Sequence, residues 1–241
     1  MFDKALSTEF INIYNEIDNY MRNKLDVGYD VNHWDLIDDL CNLDYVIYKN
    51  RRKLKQYAKL RNAIVHESKK NTNPIAEPHP IIVEEYKKIL EHLKNPPDAL
   101  SIAVPGNKIF TANINDRAID IITIMNENCY THVPVFDDDN FVGVFSENSL
   151  FTYLAKNEAI ILDSNTTLNE FKDILGIDKH DTEEFLFISK KTCVYEVEEL
   201  FRRYLSNHKR LAAIFITENG KQNEKLLGLI TAWDVAGNSY E

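Results

Sequence analysis

One order of short elements is written twice in the second half of this chain, and that repetition limits the fold more than any other feature. IFTA reads as a short strand, DRAIDIITIMNEN as an amphipathic helix, HVPVF as a strand, DDDN as a turn, FVGVF as a strand and ENSLFTYLAKN as a helix. FLFIS, VYEVEELFRRYLSN, LAAIFI, the turn-rich TENGKQNE, KLLGLI and TAWDVAGN then give the same β-α-β-β-α order. Ile109, Ile121, Pro134 and Val135 correspond to Ile188, Leu200, Ala213 and Ile214, a constant offset of about eighty residues that marks an internal repeat. A single copy leaves one sheet face uncovered, so the two copies should pack on each other. TTLNEFKDILGI, between them, reads as a connecting helix.

Ahead of the repeat the apolar spacing is helical. Leu6, Phe10, Ile13, Ile17, Tyr20 and Met21 follow one face, GYD at 28–30 breaks the chain, and a second long pattern runs from about Trp34 to about His66. ESKKNTNPIAEPHP carries three prolines and cannot continue that helix; IIVEEYKKILEHL (81–93) is a third. NPPDALSIAVPGN reads as a linker between domains. The expected fold class is α+β: an N-terminal helical bundle over 1–95, a linker over 96–106, a first repeat over 107–158, and a connecting helix with the second repeat over 159–241. At 241 residues the chain is long enough for two cores.

Other function classes are narrowed by what is missing. The start MFDKALSTEF has no basic segment followed by an apolar run, and no eighteen consecutive residues are apolar, so the expectation is a cytoplasmic protein with no membrane span. Cys41, Cys129 and Cys193 are far apart and match no ligand spacing, so they are expected to be buried reduced thiols, with no metal. The run Asp137, Asp138, Asp139, Asn140 lacks the alternating ligands and central glycine of a calcium loop and is expected to be a hairpin turn.

Charge is divided unevenly. Residues 1–95 hold 15 Lys and Arg against 15 Asp and Glu, whereas 96–241 hold 13 against 23, so the net charge of −10 lies wholly in the second part. Within the neutral part, KNRRKLKQYAKLR (49–61) has seven cations and no acid, a local field suited to a polyanion or, equally, a solvated helix face.

Each repeat ends where its third strand enters a helix, at GVFSENS (143–149) and GLITAWD (228–234). The paired β-α-β-β-α order together with GLITAWD resembles a tandem pair of CBS domains over residues 105–240, modules that in many proteins bind adenosine nucleotides or related ligands. The resemblance implies an adenine nucleotide of the AMP, ADP or ATP class as a regulatory ligand, with no cofactor required. Thr231 would take the phosphate and Asp234 the ribose hydroxyls, since a hydroxyl with exposed amides can hold a phosphate and a carboxylate can accept two hydroxyls. In the first repeat Ser146 keeps the hydroxyl, but Ser149 stands where the acid should be, so one good site per chain is expected. The alternative is an ordinary helix start, with Thr231 as cap and Asp234 as a favourable first-turn acid. No glycine-rich phosphate loop of familiar spacing is present, which points to a sensor site rather than an ATPase.

RNAIVH (61–66) places Arg61 on the apolar seam of the long helix, three residues past Ala58 and four before Val65. A charge there must be paired, snorkel to solvent, or serve a site. Asn62 and His66 share a face at i and i+4, whereas Arg61 and His66 are about 140° apart on one helix. A symmetric dimer pairing on this seam would bring two copies of arginine and histidine to one cleft, with Lys55 and Lys59 extending a positive track. RNAIVH and the helices of residues 1–94 resemble HEPN helical domains, whose ribonuclease members carry such an arginine, polar residue and histidine. The resemblance implies a homodimeric, metal-independent endoribonuclease that uses the ribose 2′-hydroxyl as nucleophile. In it His66 would assist proton transfer, Arg61 would hold the scissile phosphate and Asn62 would orient one of them. Two readings stay open: a nucleotide-controlled ribonuclease, or a non-catalytic sensor whose helical domain dimerises and binds RNA or a protein partner.

Overall fold

The computed structural model describes residues 6–66, 76–156, 165–205 and 208–237, which divide into two units, 1–97 and 98–241. The first is helical: α1 (Leu6–Leu25), α2 (His33–Leu40), α3 (Tyr45–His66) and α4 (Pro80–Lys94). Phe10, Ile13, Ile17 and Met21 of α1 meet Leu36, Ile37 and Leu40 of α2, Ile47, Leu54 and Ala58 of α3, and Val83, Tyr86 and Ile89 of α4. Phe10, Tyr57 and Tyr86 form an aromatic knot at the centre, with ring centroids 4.7–5.9 Å apart.

The long helix read from Trp34 to His66 is two helices. Leu40, Leu43 and Ile47 keep helical spacing, but the chain turns at 41–44 and Leu43 is exposed. Asp44 ends the ambiguity: its Oδ1 accepts the backbone N–H groups of Val46 and Ile47 at 2.9 and 3.1 Å and starts α3 anew. Its Oδ2 accepts from Lys24 Nζ at 2.6 Å and the Tyr20 hydroxyl at 2.9 Å. Burial alone would raise the Asp44 carboxyl, and these donors outweigh it and hold it below its ordinary value.

The second unit carries two small sheets. β2 (Ala112–Asn113), α5 (Ala118–Asn128), β3 (His132–Asp137), β4 (Asn140–Ser146) and α6 (Glu147–Lys156) make one, in strand order β2-β3-β4. After the short α7 (Lys172–Leu175), β5 (Glu183–Ser189), α8 (Val194–Tyr204), β6 (Arg210–Thr217), β7 (Gly228–Ile230) and α9 (Ala232–Gly237) make the other. In both, the first two strands are parallel and the next pair antiparallel. Asp138 and Asp139 form the two-residue turn between β3 and β4, with Asp138 at φ 51°, so the acidic run is the hairpin turn expected.

Residues 98–106, read as linker from their prolines, belong to this unit. Ala99 is fully buried and its N–H donates to the Thr192 carbonyl at 2.9 Å. β1 (Val104–Pro105) then pairs antiparallel with β7, so the strand that precedes the first repeat closes the far edge of the second repeat's sheet, in the order β1-β7-β6-β5. An edge is where a proline can be accommodated in a sheet. The two sheets share an apolar layer in which Phe141 of the first repeat meets Phe187 and Phe215 of the second at 5.2 and 5.7 Å. The cysteines depart from expectation: Cys41 and Cys193 are half-buried, while Cys129 is exposed at the end of α5 in a left-handed conformation, φ 57°.

Candidate functional site

Where β7 passes into α9, Thr231 caps the turn. Its backbone N–H and its hydroxyl both donate to Asp234 Oδ2, at 2.7 and 2.8 Å, so the two residues singled out by GLITAWD hold each other in place. Both line one cavity of about 310 Å3, together with Lys108, Phe110, Tyr130 and Trp233 over an apolar floor that includes Ile109, Ala213 and Leu229. Phe110 and Tyr130 stack with centroids 5.9 Å apart, and Trp233 is 86% exposed at the start of α9. A carboxylate, a hydroxyl, an ammonium group and three aromatic rings around one opening can hold a ribose, a phosphate and a base.

The corresponding place in the first repeat is built differently. Ser149 Oγ accepts the backbone N–H of Ser146 at 3.0 Å, the position that Asp234 fills toward Thr231. Ser146 is fully buried and its hydroxyl donates to Glu183 Oε2 at 2.8 Å, so the carboxylate that residue 149 lacks arrives from the first residue of β5. Glu183 Oε1 lies 2.9 Å from His132 Nε2 and accepts from Arg210 Nη2 at 2.8 Å; His180 Nδ1 stands 3.5 Å from Oε2. Burial pushes the Glu183 carboxyl up, and the hydrogen bonds from His132, His180 and Arg210 overcome that and hold it far below the usual range. Ser146 is therefore placed in a closed network and lies outside the cavity at Thr231 and Asp234.

Residues 102–156 match the CBS domain. The matched segment supplies Val104, Lys108, Phe110, Tyr130, Thr131 and His132 to the cavity, and the chain after it supplies Ala213, Leu229, Thr231, Trp233 and Asp234. Among solved structures, a hemolysin-like protein containing a CBS domain from Oenococcus oeni is 14% identical over 61% of this chain and 93% of its own, with a TM-score of 0.42. The CBS domain of a bacterial CNNM/CorC family Mg2+ transporter in complex with ATP is 19% identical over 65% of this chain and 95% of its own, TM-score 0.42. CBSX2 in complex with AMP is 15% identical over 59% and 96%, TM-score 0.39. No curated protein matches the chain.

In the helical unit, Arg61 is half-buried on the seam of α3, between buried Ala58 and Ile64. Its guanidinium lies over the Tyr14 ring, 5.1 Å from the centroid, and Nη1 donates to Asn62 Oδ1 at 3.3 Å. Of the acids on α2 and the turn after it, Asp44 pairs with Lys24 and Asp38 with Lys55, each at 2.6 Å. Arg61 Nε is buried with no hydrogen-bond partner, as is Nε2 of His33, whose ring stacks on Tyr14 at 4.3 Å while its Nδ1 lies 2.7 Å from Asp18. His66 ends α3, and its side chain lies outside the described residues. Lys55 and Lys59 both stand over Trp34, 5.2 and 5.4 Å from its centroid, so part of the expected positive track is already committed to an aromatic ring and, for Lys55, to Asp38.

Lys108, Phe110, Tyr130 and His132 were not legible in the sequence as cavity residues, because they come from the first repeat, before and after α5, while the motif lies at the end of the second. Trp233 carried a signal of its own: an aromatic between the hydroxyl and the acid of GLITAWD, on a helix start that offers it no core. Among the described residues no group of three His, Cys, Asp or Glu is placed to hold a metal ion, and no helix is long and apolar enough to cross a membrane.

Proposed function

We propose that residues 98–241 form a regulatory unit that senses an adenine nucleotide, with the Asp234 carboxylate accepting ribose hydroxyls, Lys108 and Thr231 receiving phosphate, and the base against the aromatic rings of the cavity. One observation carries this reading: the hydroxyl and carboxylate chosen from a seven-residue motif line a cavity that also offers an ammonium group and three aromatic rings. The AMP and ATP bound by two of the similar structures are ligands of those proteins. Isothermal titration of AMP, ADP and ATP tests it. Saturable binding, weakened tenfold or more in Asp234→Ala and in Asp234→Asn, is the expected result, equivalent to ~1.4 kcal/mol or more. Binding unchanged in both variants would remove the assignment.

A second reading is favoured by the Nε of Arg61, a buried donor with no hydrogen-bond partner among the described residues. Under it, the helical unit is HEPN-like and acts on RNA as a homodimer. Arg61 holds the scissile phosphate, His66 moves the proton of the 2′-hydroxyl, and Asn62 orients Arg61, to which it is already bonded. Nucleotide occupancy of the second unit then biases the dimer geometry and with it the cleft. Labelled RNA incubated in EDTA with wild type, Arg61→Lys and His66→Ala decides this. Cleavage by wild type alone supports the ribonuclease; RNA bound and left intact by all three supports the non-catalytic module instead.

A further inference from the structure

We infer that the cavity at Thr231 and Asp234 selects a nucleoside monophosphate over the corresponding triphosphate. This rests on the nucleotide reading given above and adds to it the number of phosphates. The cavity's volume, about 310 Å3, lies at the low end of small-molecule pockets, which run from roughly 300 to 1,000 Å3. Lys108 is the one ammonium or guanidinium group among its described lining residues. The other basic side chain in the lining, His132, is held on both ring nitrogens: Nε2 by Glu183 at 2.9 Å and Nδ1 by the Thr131 hydroxyl at 2.7 Å. One phosphate finds one ammonium group here, and the described lining offers no second ammonium or guanidinium group to another.

The surroundings of the cavity oppose further negative charge. A neighbouring cleft shares Ile109 with it and is lined by four carboxylates, Asp116, Asp138, Asp139 and Glu224, against the single cation Lys225. The unit as a whole holds 13 Lys and Arg against 23 Asp and Glu. A triphosphate passing Lys108 toward that cleft meets like charge, and repulsion between exposed groups is weakened but not abolished in water-like surroundings. Summed over the added charges, this gives a preference of about tenfold or more for the monophosphate.

The chain has two tryptophans, Trp34 in the helical unit and Trp233 at the cavity, so Trp34→Phe leaves Trp233 as the sole reporter. Its fluorescence is titrated with AMP, ADP and ATP in EDTA at low salt, with calorimetry on the same samples. AMP binding about tenfold tighter than ATP, with the gap narrowing as salt rises, is expected. Asp139→Lys, in the exposed β3–β4 turn, is expected to tighten ATP more than AMP. ATP binding as tightly as AMP overturns the selectivity and leaves the nucleotide reading intact. The absence of both quenching and heat with every nucleotide overturns the nucleotide reading itself.

Discussion

Replacing Glu183 by glutamine tests whether the second unit is held together by one buried carboxylate. Glu183 is 1% exposed and is contacted by His132, His180, Arg210 and Ser146, side chains from both repeats. Glutamine keeps the shape and removes the charge, so each charge-assisted contact falls to a neutral one. The Arg210 side chain is 68% exposed, and its share is discounted for solvent screening. The contacts from buried Ser146 and nearly buried His132 lose about 1 kcal/mol each, and the amide NH2 turned toward one of them adds a mismatch of similar size, for a total of ~2–3 kcal/mol. For a unit of this length that lowers Tm by roughly 6–9 °C. Thermal unfolding followed by Trp233 fluorescence in a Trp34→Phe background reports on this unit alone. The folded carboxyl lies below its ordinary value of 4.5, so its stabilisation is fully present above that pH and is lost as pH falls toward the folded pKa; the gap between wild type and variant should therefore close below pH 4.5. A Tm difference under 1 °C at pH 7, or a gap that widens in acid, would refute the reasoning.

Three further outcomes follow from the same geometry. Asp44→Ala removes the cap of α3 and the partner of Lys24 and Tyr20, and should cost the helical unit about 2 kcal/mol, read as a fall of roughly 10 °C in the melt of Trp34 fluorescence in a Trp233→Phe background. Gly143→Ala, on β4, drives a methyl into the Leu175 carbonyl oxygen and should destabilise the second unit by ~3 kcal/mol or prevent its folding, measured by urea denaturation, whereas Gly237→Ala, with open space around it, should change nothing. Lys108→Ala should weaken nucleotide binding about tenfold in calorimetry and leave the melting temperature of the free protein within 1 °C, since Lys108 is exposed.

What could be read from the sequence was set by how local the deciding contact was. The helical spacing of Phe10, Ile13 and Ile17 sufficed for α1, whose apolar face is buried as that spacing requires. The break between α2 and α3 escaped, since Leu40, Leu43 and Ile47 keep the period and the stop depends on Asp44 being fixed by Tyr20 and Lys24 of another helix. Residues 98–106 read as a linker because the contacts that fix them, Ala99 with Thr192 and β1 with β7, come from far along the chain. Thr231 and Asp234 were legible as a pair within one turn. The missing acid at 149 was legible too, but its replacement by Glu183 was not, because no sequence window joins a strand's first residue to a helix start in the preceding repeat.

The pairing of β1 with β7 also sets an order of events during synthesis. β1 leaves the ribosome ahead of all the other strands and has no partner until the last of them has been made. Its contacts are among the least local in the unit, the kind that form late and slowly. Val104 on β1 and Leu229 on β7 both line the cavity at Thr231 and Asp234. A nascent chain therefore has nowhere to hold a ligand until the clasp closes, and a nucleotide that binds there also acts as a brace, favouring the fully clasped fold over partly assembled ones.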